Sequence, residues 1–273
     1  AYARKSGLLT AYANSYAKSA QELAKDRAES LRLAQTALRL APNLAQAHMA
    51  LGGLYSSNLQ MGPAYAEAKR AIELAPGDAF IVARYANFAG DLGHASEALQ
   101  AADKSIALDP LNTLAYNLRL RTLLSSRRYA DVIRAAQDLE RKSSDSLGDP
   151  ASAADALVLL GRNREAQIYY GKMAPDYWSR LTGEAIILAR SGDRAGAERK
   201  LAALRQNYKD AASYQYGQVY AQLGDRDRAF ANLEHGFEIK DAGLLGLKTD
   251  PFMDPIRSDP RFAVLMKKMN FPA

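Results

Sequence analysis

Residues 45–78 read AQAHMALGGLYSSNLQMGPAYAEAKRAIELAPGD, and residues 79–112 read AFIVARYANFAGDLGHASEALQAADKSIALDPLN. Laid over each other at an offset of 34 residues, the two match in character. Leu51 falls on Tyr85, Gly52 on Ala86, Tyr55 on Ala89, Ala64 on Ala98, Ala68 on Ala102, Ala71 on Ser105, Leu74 on Leu108 and Pro76 on Pro110. Each copy is long enough for one helix pair. The first helix sets a large side chain, Leu51 or Tyr85, beside a small one, Gly52 or Ala86. The second opens on Ala64 or Ala98, small enough for the two backbones to approach closely. Met61-Gly62 and Leu92-Gly93-His94 mark the turns inside each pair. Pro76 and Pro110 end the second helices, because proline has no amide hydrogen and disfavours helix in the residue before it.

The pattern continues outward in both directions. In residues 11–44, Ser30, Ala34, Ala37, Leu40 and Pro42 fall in the slots of Ala64, Ala68, Ala71, Leu74 and Pro76. Tyr12, Tyr16 and Ala20 share one helical face, and residues 1–10 precede the pair. Residues 113–142 keep the pattern weakly, with Tyr116, Leu120, Leu123 and Leu124 on one helix and Val132, Ala136 and Leu139 on the next. Their turn, Ser-Ser-Arg-Arg-Tyr at 125–129, has no glycine. Residues 143–150, SSDSLGDP, are small and polar without helical period, which predicts a loop between an N-terminal half, 1–142, and a C-terminal half, 151–243. In that second half the pattern returns around Gly161 and Ala166, then Gly183, Ala197 and Leu201, then Gly217, Ala229 and Leu233.

Residues 244–273 depart from it. Asp-Pro occurs three times, at 250–251, 254–255 and 259–260. Aspartate is a strong N-cap and proline suits the first helical position, so each is read as a helix start, the last opening a helix through Met269. The segment is expected to cover the exposed end of the array.

The period and its small–large–small order resemble the tetratricopeptide repeat over residues 11–243. The expected fold is all-α, a superhelical solenoid of tetratricopeptide-type helix-turn-helix pairs, about seven of them, with 244–273 as a capping segment. The tail, LKTDPFMDPIRSDPRF, resembles the closing motif of bacterial class III adenylate/guanylate cyclases and winged-helix transcriptional regulators whose C-terminal half is such an array. The chain shows neither cyclase catalytic residues nor a winged-helix recognition helix. The resemblance therefore implies the sensory or interaction region of a bacterial signalling protein, cytoplasmic, with the periplasm left open. The opening Ala-Tyr-Ala-Arg-Lys, without Met or an apolar signal core, is that expected of a fragment or a processed chain. A stand-alone assembly or adaptor protein, and a small-ligand sensor, are the competing readings of the same scaffold.

Composition narrows the chemistry. Lys and Arg total 36 against 30 Asp and Glu, and the two signs are interleaved rather than bunched, so no nucleic-acid face is expected. Cysteine is absent, which removes disulfides, thiolate nucleophiles and cysteine-ligated metal. His48, His94 and His235 lie in different repeats without metal-ligand spacing, and Gly52-Gly53 is followed by no GK[ST]. No catalytic residue, cofactor or metal is expected, and no apolar run is long enough for a membrane span. The expected partner is a protein or peptide in the concave groove, with homo-oligomerisation left open.

First-helix residues outside the packing slots would line that groove: Gln46, Met49, Gly53 and Ser56; Phe80, Ala83, Asn87 and Gly90; then Asn117, Arg121, Leu124, Thr182 and Ile186. Arg84, Asn87, Asn117 and Arg121 are read as a polar, cationic floor for an acidic peptide or a C-terminal carboxylate, since guanidinium forks suit carboxylates. Tyr214, Gln218 and Gln222 form a second polar stripe at i, i+4, i+8. Leucine at Ala64 or Ala98 should overpack a helix pair, whereas leucine at the outward Ala83 should be nearly silent.

Overall fold

In the computed structural model of the chain, residues 1–16, 20–142 and 148–271 are described, and among them there is no strand. Among the described residues the helices come as seven consecutive pairs in chain order. They are α1 (Tyr2–Tyr16) with α2 (Ala20–Leu40), α3 (Ala45–Ser57) with α4 (Met61–Leu74), α5 (Ala79–Asp91) with α6 (Ala95–Leu108), and α7 (Thr113–Ser125) with α8 (Tyr129–Lys142). The series continues with α9 (Pro150–Leu159) and α10 (Asn163–Tyr170), α11 (Trp178–Arg190) and α12 (Arg194–Tyr208), and α13 (Ser213–Gln222) and α14 (Arg226–Ile239). Among the described residues, no helix is long and apolar enough to cross a membrane. The chain divides into two compact units, Ala1–Ala115 with Met269–Ala273, and Tyr116–Lys268. The loop expected at 143–150 falls largely on residues 143–147, outside the described residues.

The small slots hold the pairs together. Ala64, Ala68, Ala71, Ala98, Ala102, Ala166, Ala197 and Ala229 are fully buried. A Cβ at Gly52 would lie 3.1 Å from the Ala64 carbonyl oxygen, so the α3 and α4 backbones meet almost without side chains between them. Where a serine takes a small slot, its hydroxyl is satisfied locally. Ser105 donates to the Ala79 carbonyl at 2.8 Å, and Ser30 bonds Ser6 and Thr10. That last trio explains why α1 begins at Tyr2, well ahead of position 11: Ser6 and Thr10 are buried on α1 against Ser30. Aspartates start several helices, Asp78 accepting from the Phe80 and Ile81 amides and Asp149 from Ala151.

Ala83 corrects the sequence reading. It is fully buried, because α5 is flanked by α4, α6 and α3 at once, and an alanine there is enclosed on more sides than a two-helix pattern suggests. Leucine at Ala83 should overpack as it would at Ala98.

Within the second unit, the tail continues the array in reduced form. Two 3-10 turns, Ala242–Gly246 and Pro251–Ile256, pack on α13 where a further first helix would stand, and α15 (Pro260–Lys268) packs on α14. Asp193, Asp225 and Asp259 each accept amide bonds at the start of α12, α14 and α15. Asp250 likewise starts the second 3-10 turn, but Asp254-Pro255 falls inside that turn rather than beginning a new one. The two prolines and the close spacing of the caps break the would-be helix into short turns. Leu244, Leu247, Phe252, Met253 and Ile256 are buried, each worth about 1.5–3 kcal/mol.

Among the described residues, the turns inside the pairs from α3 onward share one backbone feature. Gly93, Gly161, Gly192 and Gly224 take positive φ between 73° and 84°. In the turns before α4 and α8, the left-handed residue is instead Leu59, φ 59°, and Arg127, φ 58°. Side chains are disfavoured there, which suits glycine.

Candidate peptide-binding faces

In the second unit the α13 stripe is met by the tail. The Tyr214 hydroxyl donates to Asp250 Oδ2 at 2.7 Å, and the Gln218 side-chain amide donates to the same oxygen at 2.6 Å. The other Asp250 oxygen accepts from the Phe252 amide at 2.8 Å. Gln222 donates to the Phe252 carbonyl at 2.6 Å and accepts from Arg190 at 3.0 Å. Arg257 closes the back of this segment, donating to the Lys248 and Asp250 carbonyls at 2.8 Å each. Arg127 reaches it from the α7–α8 turn, donating to the Thr249 carbonyl at 3.1 Å and to Asp254 at 2.7 Å. Burial raises the Asp250 carboxyl above its ordinary pKa in spite of its bonds to Tyr214, Phe252 and Gln218, and burial carries the Tyr214 hydroxyl well above its own.

Asp155, on α9, is a carboxylate the sequence reading did not single out. It accepts from the Tyr170 hydroxyl at 2.5 Å. Tyr170 is fully buried and reaches it past α11 only because residue 183 is glycine; a Cβ there would sit 2.0 Å from the tyrosine ring. Burial pushes the Asp155 carboxyl up to about 7 against the Tyr170 bond, with Asp250 and Asp149 adding repulsion. The sequence signal was faint: an aspartate inside an otherwise apolar run, ASAADALVLL.

In the first unit, the Arg84 guanidinium lies over the Phe88 ring, 5.5 Å from its centroid. Its tip is 3.9 Å from where a Cβ on Gly53 would stand, so Arg84 occupies the space that the missing side chain leaves between α3 and α5. Asn87 donates to Asp91 on its own helix at 3.0 Å, and Gln46 to Asp78 at 3.4 Å. Met49, Ser56, Ala83, Thr182 and Ile186, all expected to line a groove, are buried. First helices touch more neighbours than second helices, so few of their positions remain open.

Arg84 and Asn87 belong to the first unit, Asn117 and Arg121 to the second. Asn117 accepts from the Asp149 amide at 2.6 Å, and Arg121 is exposed on α7. The first unit also holds a polar cluster around Glu97 that the repeat pattern does not predict. Tyr65 donates to Glu97 at 2.6 Å, Tyr85 donates to its other oxygen, and His94 stands 3.3 Å from the same carboxylate. Burial opposes ionisation of Glu97, but the Tyr65 and Tyr85 bonds, with His94 and Lys69, leave its pKa lowered. His48 bridges Glu67 and the Pro42 carbonyl. Among the described residues no three His, Asp or Glu side chains are placed to hold a metal ion.

A family model described as tetratricopeptide repeat matches residues 211–242, which span α13 and α14. No curated protein matches the sequence. Solved structures do match in shape. A tetratricopeptide repeat protein from Parabacteroides merdae is 14% identical with TM-score 0.60, covering 89% of this chain and 99% of that one. PilF of Pseudomonas aeruginosa is 17% identical with TM-score 0.52, covering 76% and 93%. Yeast Tom70 is 16% identical with TM-score 0.51, covering 99% and 68%. At these identities the likeness concerns the backbone alone, and with the seven helix pairs it makes the fold an all-α array of tetratricopeptide type.

Proposed function

We propose that the chain is a non-catalytic scaffold that binds an extended, acidic segment of a protein partner along its first-helix faces. The observation that carries this reading is how the second unit holds its own tail. A carboxylate and a main-chain carbonyl two residues apart, Asp250 and Phe252, are taken by three side chains at i, i+4, i+8 on one first helix. Those are the donors an acidic peptide requires. Arg84 and Asn87 on α5, and Asn117 and Arg121 on α7, present donors of the same kind on other first helices.

The test is a peptide array of extended 12-mers of varied charge, probed with the chain. Acidic peptides should be retained. Arg84→Glu and Arg121→Glu should together weaken that retention about tenfold or more, as expected when charge-assisted bonds become like-charge contacts, with helicity by circular dichroism unchanged. Retention that ignores both peptide charge and these reversals would place the partner elsewhere.

The wider setting proposed is the interaction region of a bacterial cytoplasmic signalling protein, an adenylate cyclase or a winged-helix regulator. The support is the Asp-Pro tail, whose residues build the last turns of the second unit. Reading the gene upstream of Ala1 tests it: a cyclase or DNA-binding domain there supports the assignment, and a secretion signal overturns it.

A further inference from the structure

The second helices of the pairs start in different ways, and α4 stands apart. Helices α6, α8 and α10 carry an acidic residue in the first turn, Glu97, Asp131 and Glu165. Helices α12 and α14 have aspartate N-caps, Asp193 and Asp225. Helix α4 has neither: Gln60 in front of it makes no side-chain cap, and its first turn holds no acid. Its start is Met-Gly-Pro. Pro63 has no amide hydrogen, and the Ala64 amide already bonds the Gln60 carbonyl at 3.1 Å. That leaves two donors, Met61 and Gly62.

Both are taken from the far end of the chain. The Met61 amide donates to the Met269 carbonyl at 3.2 Å, and the Gly62 amide to the Asn270 carbonyl at 2.9 Å. Met269 and Met61 are fully buried, and Asn270 adopts a left-handed backbone, φ 51°. Glycine at residue 62 eases the fit, since a Cβ there would stand a tight 3.2 Å from the Asn270 carbonyl oxygen. These residues lie within the first unit.

We propose that Met269–Phe271 is a latch: a backbone cap, supplied from the C-terminal end, on a helix whose own sequence cannot cap itself, and the point at which that end of the chain detaches. The two amide hydrogen bonds and the buried Met269 side chain help hold it. The turns upstream have their own anchor in five buried apolar side chains, Leu244 to Ile256, and stay in place when the latch opens. A partner or modification that engages residues 269–271 would thereby loosen the start of α4, roughly two hundred residues away in sequence and adjacent in space.

The test compares the full chain with one ending at Lys268, each with and without Gly62→Ala, by amide hydrogen exchange and thermal melting. In the full chain the Met61 and Gly62 amides should be protected; removing 269–273 should speed their exchange at least about tenfold, with the Ile81 and Val82 amides of α5 unchanged. Gly62→Ala should raise the melting temperature less in the full chain, where its methyl group presses on the latch, than in the shortened chain, where alanine is simply the better helix former. Met269→Ala in the full chain should reproduce part of the exchange effect without shortening it. Equal exchange of Met61 and Gly62 in both lengths, or an equal shift from Gly62→Ala in both, would overturn the latch. Loss of folding on shortening would leave Met269→Ala as the deciding variant: unchanged exchange at Met61 and Gly62 there also overturns it.

Discussion

On α13, a polar stripe on a first helix is matched atom for atom by the chain's own Asp250 and Phe252. On α5, Asn87 bonds within its own helix and Arg84 lies flat on its own Phe88 ring. In amino-acid type the two stripes look alike. On α13 the acceptors come from the next element, so polar residues on that first helix bind one repeat to the next. Replacing members of each stripe should therefore have unequal effects. Asp250→Ala strands the Tyr214 hydroxyl, the Gln218 amide and the Phe252 amide in a largely buried setting. With each stranded donor worth about 1–3 kcal/mol, the total loss should be about 3 kcal/mol or more. Asn87→Ala removes the bond to Asp91 on its own helix and should cost less, about 1 kcal/mol. Urea midpoints of the two variants decide it, and equal midpoints would erase the distinction.

Glycines sharpen the same contrast. Gly183→Ala drives a methyl group into the Tyr170 ring and should cost about 1–3 kcal/mol, since the ring can yield only by giving up Asp155. Gly53→Ala meets nothing nearer than the Arg84 tip and should be neutral or gain up to about 1 kcal/mol from helix propensity. Melting temperatures of opposite displacement are expected, and two variants falling together would mean that Tyr170 is not wedged as described.

Much of this architecture was legible beforehand. The period placed the buried alanines, and Gly93 fell where left-handed backbone requires it, whereas Met61-Gly62, read as a turn, opens α4 and the left-handed residue before it is Leu59. Ala83 was misjudged because a pattern of pairs describes two neighbours, while α5 has three. The engagement of Tyr214, Gln218 and Gln222 with the tail was also out of reach. Their acceptors lie some thirty residues further on, in a segment whose prolines had removed the helical period that would have revealed its register. Asp155 escaped for a related reason: its partner Tyr170 is brought to it only by the notch at Gly183.

The units should also differ in their response to pH. In the second, Asp155, Asp250 and Asp241 all have raised pKa values, burial being the main cause in each. Asp155 faces the Tyr170 hydroxyl, with Asp149 and Asp250 nearby. The folded chain keeps its proton up to about 7, whereas the unfolded chain loses it near 3.8. Rising pH therefore erodes stability across that interval, and Asp155→Asn should flatten the decline. Glu97 in the first unit has the opposite sign. Its lowered pKa contributes stability at neutral pH that is lost as pH falls below the ordinary range of a glutamate, so Glu97→Gln should weaken the chain at pH 7 and matter less in acid. Melting curves from pH 4 to 8 distinguish the two, and parallel curves for both variants would contradict the assignment.

The smallest effect is expected at the glycine-free turns, where two terms of similar size oppose. Holding Arg127 at φ 58° costs about 1 kcal/mol relative to glycine. Its exposed pair with Asp254 is worth roughly 0–1 kcal/mol, with a little more from the bond to the Thr249 carbonyl. Arg127→Gly should thus leave the unfolding midpoint nearly unmoved while the amides of 249–254 exchange faster, because relief of backbone strain and loss of the grip cancel in global stability but not locally. Leu59 offers no such cancellation. Its side chain is almost fully buried, so Leu59→Gly trades about 1 kcal/mol of relief for the larger loss of a buried leucine, and should destabilise by about 1–3 kcal/mol. If Arg127→Gly instead destabilised the chain as much as Leu59→Gly, the arginine would be an anchor of the second unit and not a weak surface clasp on its tail.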